Sequence, residues 1–149
     1  MRKIFLIMTC IALTVATAEA QYSGVGLGVI IGDPTGLSLK SWHSRTHAVD
    51  AALAWSATED KLQIHMDYLF HSFGLFRPRQ GRMPLYFGIG GSVTFGDDAM
   101  VSARFPIGLD YLFRNLPCDL FVELAPKLNI MPDTEFEIDA ALGIRIYLF

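Results

Sequence analysis

Large apolar side chains recur at every second position through most of the chain from residue 25 onward. The final run, 136–149, is the plainest case. Phe136, Ile138, Ala140, Leu142, Ile144, Ile146 and Leu148 alternate there with Glu137, Asp139, Ala141, Gly143, Arg145 and Tyr147. A period of two belongs to a β-strand, whose successive side chains point to opposite faces. Turn signals divide the chain into about eight such runs. They cover residues 25–31, 37–42, 49–55, 62–70, 85–95, 101–113, 120–130 and 136–149. Short connections rich in Gly, Pro, Asp and Asn separate most of them, and a longer one, 72–83, follows the fourth.

The two faces differ in kind. One collects Val25, Leu27 and Val29, then Ile64, Met66 and Tyr68, and later Phe87, Ile89, Phe105, Val122 and Leu124. The other collects Gly26, Gly28, Lys40, Asp50, His65, Asp67, Gly88, Gly90, Arg104, Asp110, Glu123 and Lys127. A small closed barrel has little interior volume, so glycine and ion pairs fit inside it and the bulky residues do not. The expected fold is therefore all-β, an up-and-down antiparallel eight-stranded transmembrane β-barrel with its apolar face toward lipid. Aromatic residues cluster near run ends, Trp55, Phe95 and Phe136 at one rim and Tyr68, Phe70, Phe87, Tyr111 and Phe113 at the other. Two membrane interfaces favour such girdles. Turning the same parity inside out describes the alternative, a soluble periplasmic barrel that binds a small apolar ligand.

Composition sharpens the choice. The chain is 52% hydrophobic, with a mean hydropathy of +0.36, yet no window after residue 20 is long and apolar enough for a membrane helix. Its formal charge of −3 and lack of a basic stripe argue against nucleic-acid binding. Arg2 and Lys3, the apolar stretch 4–16 and the small-x-small Ala18-Glu19-Ala20 read as a signal peptide over 1–20. Residues 21–149 then form a single barrel domain in the bacterial outer membrane, with Gln21 first. Export leaves Cys118 alone, so no internal disulfide is expected.

Three segments carry a family resemblance: Gly32-Asp33-Pro34-Thr35-Gly36-Leu37-Ser38, Pro84-Leu85-Tyr86-Phe87-Gly88-Ile89-Gly90 and Gly143-Ile144-Arg145-Ile146-Tyr147-Leu148-Phe149. Through them the mature chain resembles small eight-stranded outer-membrane barrels of the OmpA transmembrane-domain type, and in particular short uncharacterised bacterial members. The resemblance implies a fold and a location, not an activity. It also implies that Phe149 is similar to the terminal aromatic read by barrel-assembly machinery. Arg145 stands in step with Phe149 where that signal usually has an apolar residue, and the connections on the expected outer side are short for such barrels.

The inward parity proposes a structural charge network: Lys40, Arg104, Lys127 and Arg145 against Asp50, Asp67, Asp110, Glu123, Glu137 and Asp139, with His65 between. Enclosed charges must pair, because an unpaired buried ion costs several kcal/mol. A lock that fills the lumen is the expected role, ahead of a gated pore. His65 and Asp67 could serve a metal or an acid–base pair but are read as lumen hydrogen-bond members, and His43 with His47 is a weaker surface candidate. No Ser/His/acid set falls on the lipid-facing parity, so a lipid-A-modifying enzyme is the lesser alternative, and no catalytic, cofactor or metal residue is assigned. The Gly24-Val25-Gly26-Leu27-Gly28 series lies within a strand and so is not a phosphate loop.

Connections on one side carry Asp33, Glu59, Asp60, Asp97, Asp98 and Asp133; those on the other carry Arg45, Arg77, Arg79, Arg82 and Arg114. This asymmetry suggests divalent cations and lipopolysaccharide at the acidic rim, and a periplasmic partner at the arginine loop 77–82. The remaining partners expected are outer-membrane lipid and the assembly machinery, for a monomer without cofactor.

Overall fold

The computed structural model describes residues 24–33, 35–56, 60–131 and 133–148. The expected signal peptide, Glu59 and Phe149 lie outside them. Nine strands follow one another: β1 (Gly24–Asp33), β2 (Thr35–Trp42), β3 (His47–Ser56), β4 (Lys61–Ser72), β5 (Leu85–Phe95), β6 (Met100–Arg104), β7 (Ile107–Leu112), β8 (Cys118–Met131) and β9 (Glu135–Tyr147). All pairings are antiparallel, and β9 returns to β1 from Gly26↔Tyr147 to Asp33↔Ala140, so the sheet closes on itself.

The sixth expected strand is divided in two. β6 and β7 both lie between β5 and β8, and their registers run through the break. Gly90↔Arg104 and Phe87↔Ile107 keep one alignment with β5, as Arg104↔Lys127 and Ile107↔Leu124 do with β8. The interruption is chemical: Pro106 has no N–H to donate to the ladder. Its carbonyl still accepts from Gly88 N at 2.9 Å, and Phe105 N donates to Pro126 O at 2.9 Å. The barrel thus has eight staves, β6 and β7 together forming one of them. Other boundaries move outward. His47, expected in a turn, opens β3 opposite Phe70, and β4 runs on to Ser72 opposite Leu85.

Alternation sorts the side chains as the two faces require. Ile31 and Met66 stay 65% and 61% exposed, and Ile64, Ile89, Val122 and Ile144 share their outward side. Lys40, Asp67, Arg104, Asp110 and Arg145 are buried within the ring. Glycine makes room for the largest inward groups. A Cβ on Gly28 would overlap Arg145, one on Gly90 the Asp67 carboxylate, and one on Gly143 the Phe121 ring. Each of these glycines faces that residue across the ladder.

Two apolar clusters complete the interior. Trp42, Ala48, Leu112 and Tyr147, with Phe73 against them, lie toward the end where the arginine-bearing connections emerge. Phe121 packs with Ile30, Ala52 and Ala141. Truncating the ring that covers Gly143 leaves a cavity that a closed ladder cannot collapse around. Phe121→Ala is expected to lower stability by about 3–5 kcal/mol in equilibrium unfolding of the refolded barrel.

Candidate functional site

The lumen is the chemically rich part of the molecule, and two hubs organise it. The first is Asp110 on β7, fully buried. Lys40 from β2 forms a buried ion pair with it, and Arg145 Nη2 from β9 lies 3.3 Å from its Oδ1. Lys40 Nζ also lies 2.9 Å from His71 Nε2, while His71 Nδ1 is 3.2 Å from Thr46 O. The two contacts assign the tautomer: Nδ1–H donates to the carbonyl and Nε2 accepts from the ammonium. Arg145 Nε donates to Asp119 at 3.1 Å, and the Tyr147 hydroxyl donates to the other oxygen of that carboxylate. Rings flank both cations. Lys40 Nζ is 4.5 Å from the Trp42 centroid and the Arg145 guanidinium 4.0 Å from that of Phe121, which returns part of the hydration each cation loses.

The second hub is Arg104 on β6. Its Nε donates to both oxygens of Asp67 at 3.2 Å, its Nη1 to Asp139 at 3.1 Å and its Nη2 to Glu123 at 3.4 Å. Three staves are thereby tied to a fourth through one planar group with donors in a fixed fork. Gly90 stands between Asp67 and Arg104 in the ladder, and its missing side chain opens the path between them. Asp139 Oδ2 also forms an ion pair with Lys127 at 3.3 Å. Lys127 donates to Gln63 Oε1 at 3.2 Å and pairs with Glu137 at 3.5 Å. Tyr86 donates to Glu123 at 3.1 Å.

Among the residues named from sequence, Lys40, Asp67, Arg104, Asp110, Glu123, Lys127, Asp139 and Arg145 meet in these two hubs. Glu137 touches the network from the rim, with its side chain 44% exposed. Asp50 is buried without an ion pair: its ladder neighbour Lys40 turns to Asp110, and its Oδ1 has no hydrogen-bond partner. His65 makes long contacts, 3.4 Å from Nδ1 to Gln63 Nε2 and 3.9 Å from Nε2 to Asp67 Oδ2. His43 and His47 do not converge on a site, because His47 is engaged outward by Phe70 and Tyr68, at ring separations of 4.9 and 5.8 Å.

Sequence reading missed His71 and Asp119. Both carried a signal, since His71 continues the inward parity of Asp67 and Leu69 and Asp119 precedes that of Phe121 and Glu123. Both were lost by ending a run at the first polar residue. Within the described residues, one group places three metal-capable side chains together: Asp50, His65 and Asp67, with ligand atoms within 4.8 Å of one another.

One solved structure is similar to this one. The N-terminal β-barrel domain of Pseudomonas aeruginosa OprF aligns with a TM-score of 0.59 over 82% of this chain and 93% of that one, at 15% identity. The chain has the fold of that barrel. No protein-family model matches it, and no curated protein matches it in sequence.

The two cations of the second hub differ in how well solvent can replace them. Arg104→Met leaves Asp67, Glu123 and Asp139 without their shared partner and is expected to cost about 3–5 kcal/mol in urea unfolding. Lys127→Met should cost less, because Glu137 is already hydrated and Asp139 keeps Arg104.

Proposed function

We propose that the protein is an integral outer-membrane β-barrel, a monomer with a structural or interaction role, whose lumen is closed by its ion pairs. The observation that carries this is the reversal of faces. Arg104, Arg145, Lys40, Asp67, Asp110 and Asp119 are each 1% exposed or less, while isoleucine, leucine and phenylalanine cover the outside of every stave. Water would not sustain such an exterior on a monomer, since exposed apolar patches of soluble proteins seldom exceed a few hundred Å². A closed antiparallel ring satisfies its backbone without water and so suits hydrocarbon. β1, β3 and β5 have 10, 10 and 11 residues and β4, β9 and β8 have 12, 13 and 14, enough for a tilted strand to cross the hydrocarbon. Likeness to the barrel domain of OprF agrees with this reading.

The soluble ligand-binding alternative needs the opposite parity and an apolar cavity, whereas charged groups occupy the interior here. The same contacts support lumen closure. Lys40 on β2 pairs with Asp110 on the stave opposite it in the ring, Arg104 gathers Asp139 and Glu123 at 3.1 and 3.4 Å, and eight staves leave little room beyond them. No step of catalysis is assigned.

We infer the orientation from the charges of the connections. Asp60, Asp97, Asp98 and Asp133 are exposed at one rim and Arg45, Arg77, Arg79 and Arg114 at the other. We assign the arginine rim to the periplasm and a partner to loop 77–82. That loop is held firmly: Arg82 N donates to Leu112 O at 2.9 Å, Leu112 N to Arg82 O at 2.7 Å, and the Tyr111 hydroxyl to Gln80 O at 2.8 Å. An acidic periplasmic protein fits its charge. Phe149 serves assembly in this reading.

The protein is expected in the outer-membrane fraction, with unheated and heated samples migrating differently on a gel. A soluble protein with identical migration would end the proposal. Met66→Arg, at the middle of the lipid face, should destabilise the barrel by about 2–4 kcal/mol in vesicles. Planar-bilayer recordings should show no steady single-channel current. A photo-crosslinker at Arg79 should capture an acidic periplasmic protein, and Arg77→Ser with Arg79→Ser should abolish the capture.

A further inference from the structure

Asp50 and Asp67 face each other across the ladder between β3 and β4. Like charges directly opposite destabilise a strand pair unless something intervenes. Asp67 has Arg104 on both its oxygens, but Asp50 has no such partner. It is 7% exposed, and its Oδ1 is buried without a hydrogen bond. His65 is two residues before Asp67 and on the same face. Its Nε2 lies 3.9 Å from Asp67 Oδ2, too far for a hydrogen bond. Three potential ligands thus come within 4.8 Å of one another, and among the described residues no cation pairs with Asp50.

Charge across the lumen leads the same way. The interior cations Lys40, Arg104, Lys127 and Arg145 face the carboxylates of Asp50, Asp67, Asp110, Asp119, Glu123 and Asp139. With neutral imidazoles and every one of these carboxylates ionised, two negative charges are left without a counter-charge. The excess matches one divalent cation. It falls where the unpartnered carboxylate is, since the other five each contact an arginine or lysine.

We propose that Asp50, His65 and Asp67 bind a divalent transition-metal ion inside the barrel, of the zinc or manganese class. An imidazole beside two carboxylates selects such ions over calcium and magnesium, which prefer oxygen alone. The ligand atoms lie within 4.8 Å of one another. An ion with bonds of about 2.1 Å holds ligands at most about 4.2 Å apart, so small side-chain rotations close the set. Arg104 is the outer partner that such a site uses. It orients Asp67 by two hydrogen bonds and leaves lone pairs on that carboxylate for the ion. Its own charge is shared among Asp67, Glu123 and Asp139. The ion would bridge β3 and β4 at the one place among the described residues where the ladder sets two carboxylates against each other.

The test uses the mature chain, refolded in detergent with Zn²⁺ and then freed of unbound ion by desalting. Metal analysis should find one zinc per folded barrel, and the metal should raise the unfolding temperature. Refolding with Co²⁺ should give visible d–d absorption perturbed by the imidazole. Asp50→Asn and His65→Gln should each weaken binding by roughly tenfold or more, while His43→Gln leaves it unchanged. Two substitutions are used so that a folding failure in one leaves the other decisive, and the heat-shifted gel band shows which are folded. Wild-type barrel that retains no zinc overturns the proposal. So does retention that is equal in both lumen variants. Asp50→Asn that stabilises the barrel while zinc has no effect on the wild type would assign the carboxylate pair to a shared proton instead. The barrel's location is tested separately by fractionation, so failure of the metal site leaves that reading intact.

Discussion

Closure is the constraint on which the molecule depends. Once β9 pairs with β1, each inward side chain is committed to a narrow shared space, and each outward one is committed to whatever surrounds the ring. No edge remains at which a mismatch can be relieved. A buried ion therefore has to find its counter-charge on another stave, and its reach is set by what stands between. Arg104 shows the result, with contacts to β4, β8 and β9 from a single guanidinium. The network and the ladder support each other: register delivers the charges, and their pairing penalises a slip of even one residue, which would turn ions toward the outside.

Glycine is the structural counterpart of those long polar side chains. Gly28, Gly90 and Gly143 are not turn residues here; they sit beneath Arg145, Asp67 and Phe121 and supply the space these occupy. An eight-stave interior cannot hold large residues at every inward position. Large and absent side chains alternate between neighbouring staves, which accounts for glycine in strands that would otherwise favour β-branched residues.

Pro106 and Asp50 mark where local rules yield. Pro106 removes one ladder donor, yet the registers on both sides continue past it, because β5 and β8 hold the stave from either flank. Asp50 is different in that no cation among the described residues forms an ion pair with it, and its Oδ1 is buried without a hydrogen bond. The nearest cation along the ladder, Lys40, is drawn to Asp110, where it also meets His71 and the Trp42 ring. The same competition that completes one ion pair leaves the other carboxylate without one. Functional sites are often found at such local inconsistencies.

Much of the fold was legible in the chain because strand parity is a purely local property. Alternation assigned the faces, turn residues cut the staves, and bulk against barrel volume decided which face lies outside. Most members of the lumen network followed from parity alone. The run ends did not, because polar residues such as His71 and Asp119 look like turn residues until closure buries them. Nor could the pairing of charges be read, since Lys40 stands opposite Asp50 in the ladder and bonds to Asp110 instead. By itself the sequence determined which residues face inward. Only the closed tertiary structure decided which of them meet, because strand tilt and the gaps over glycine bring together side chains that are distant in both sequence and register.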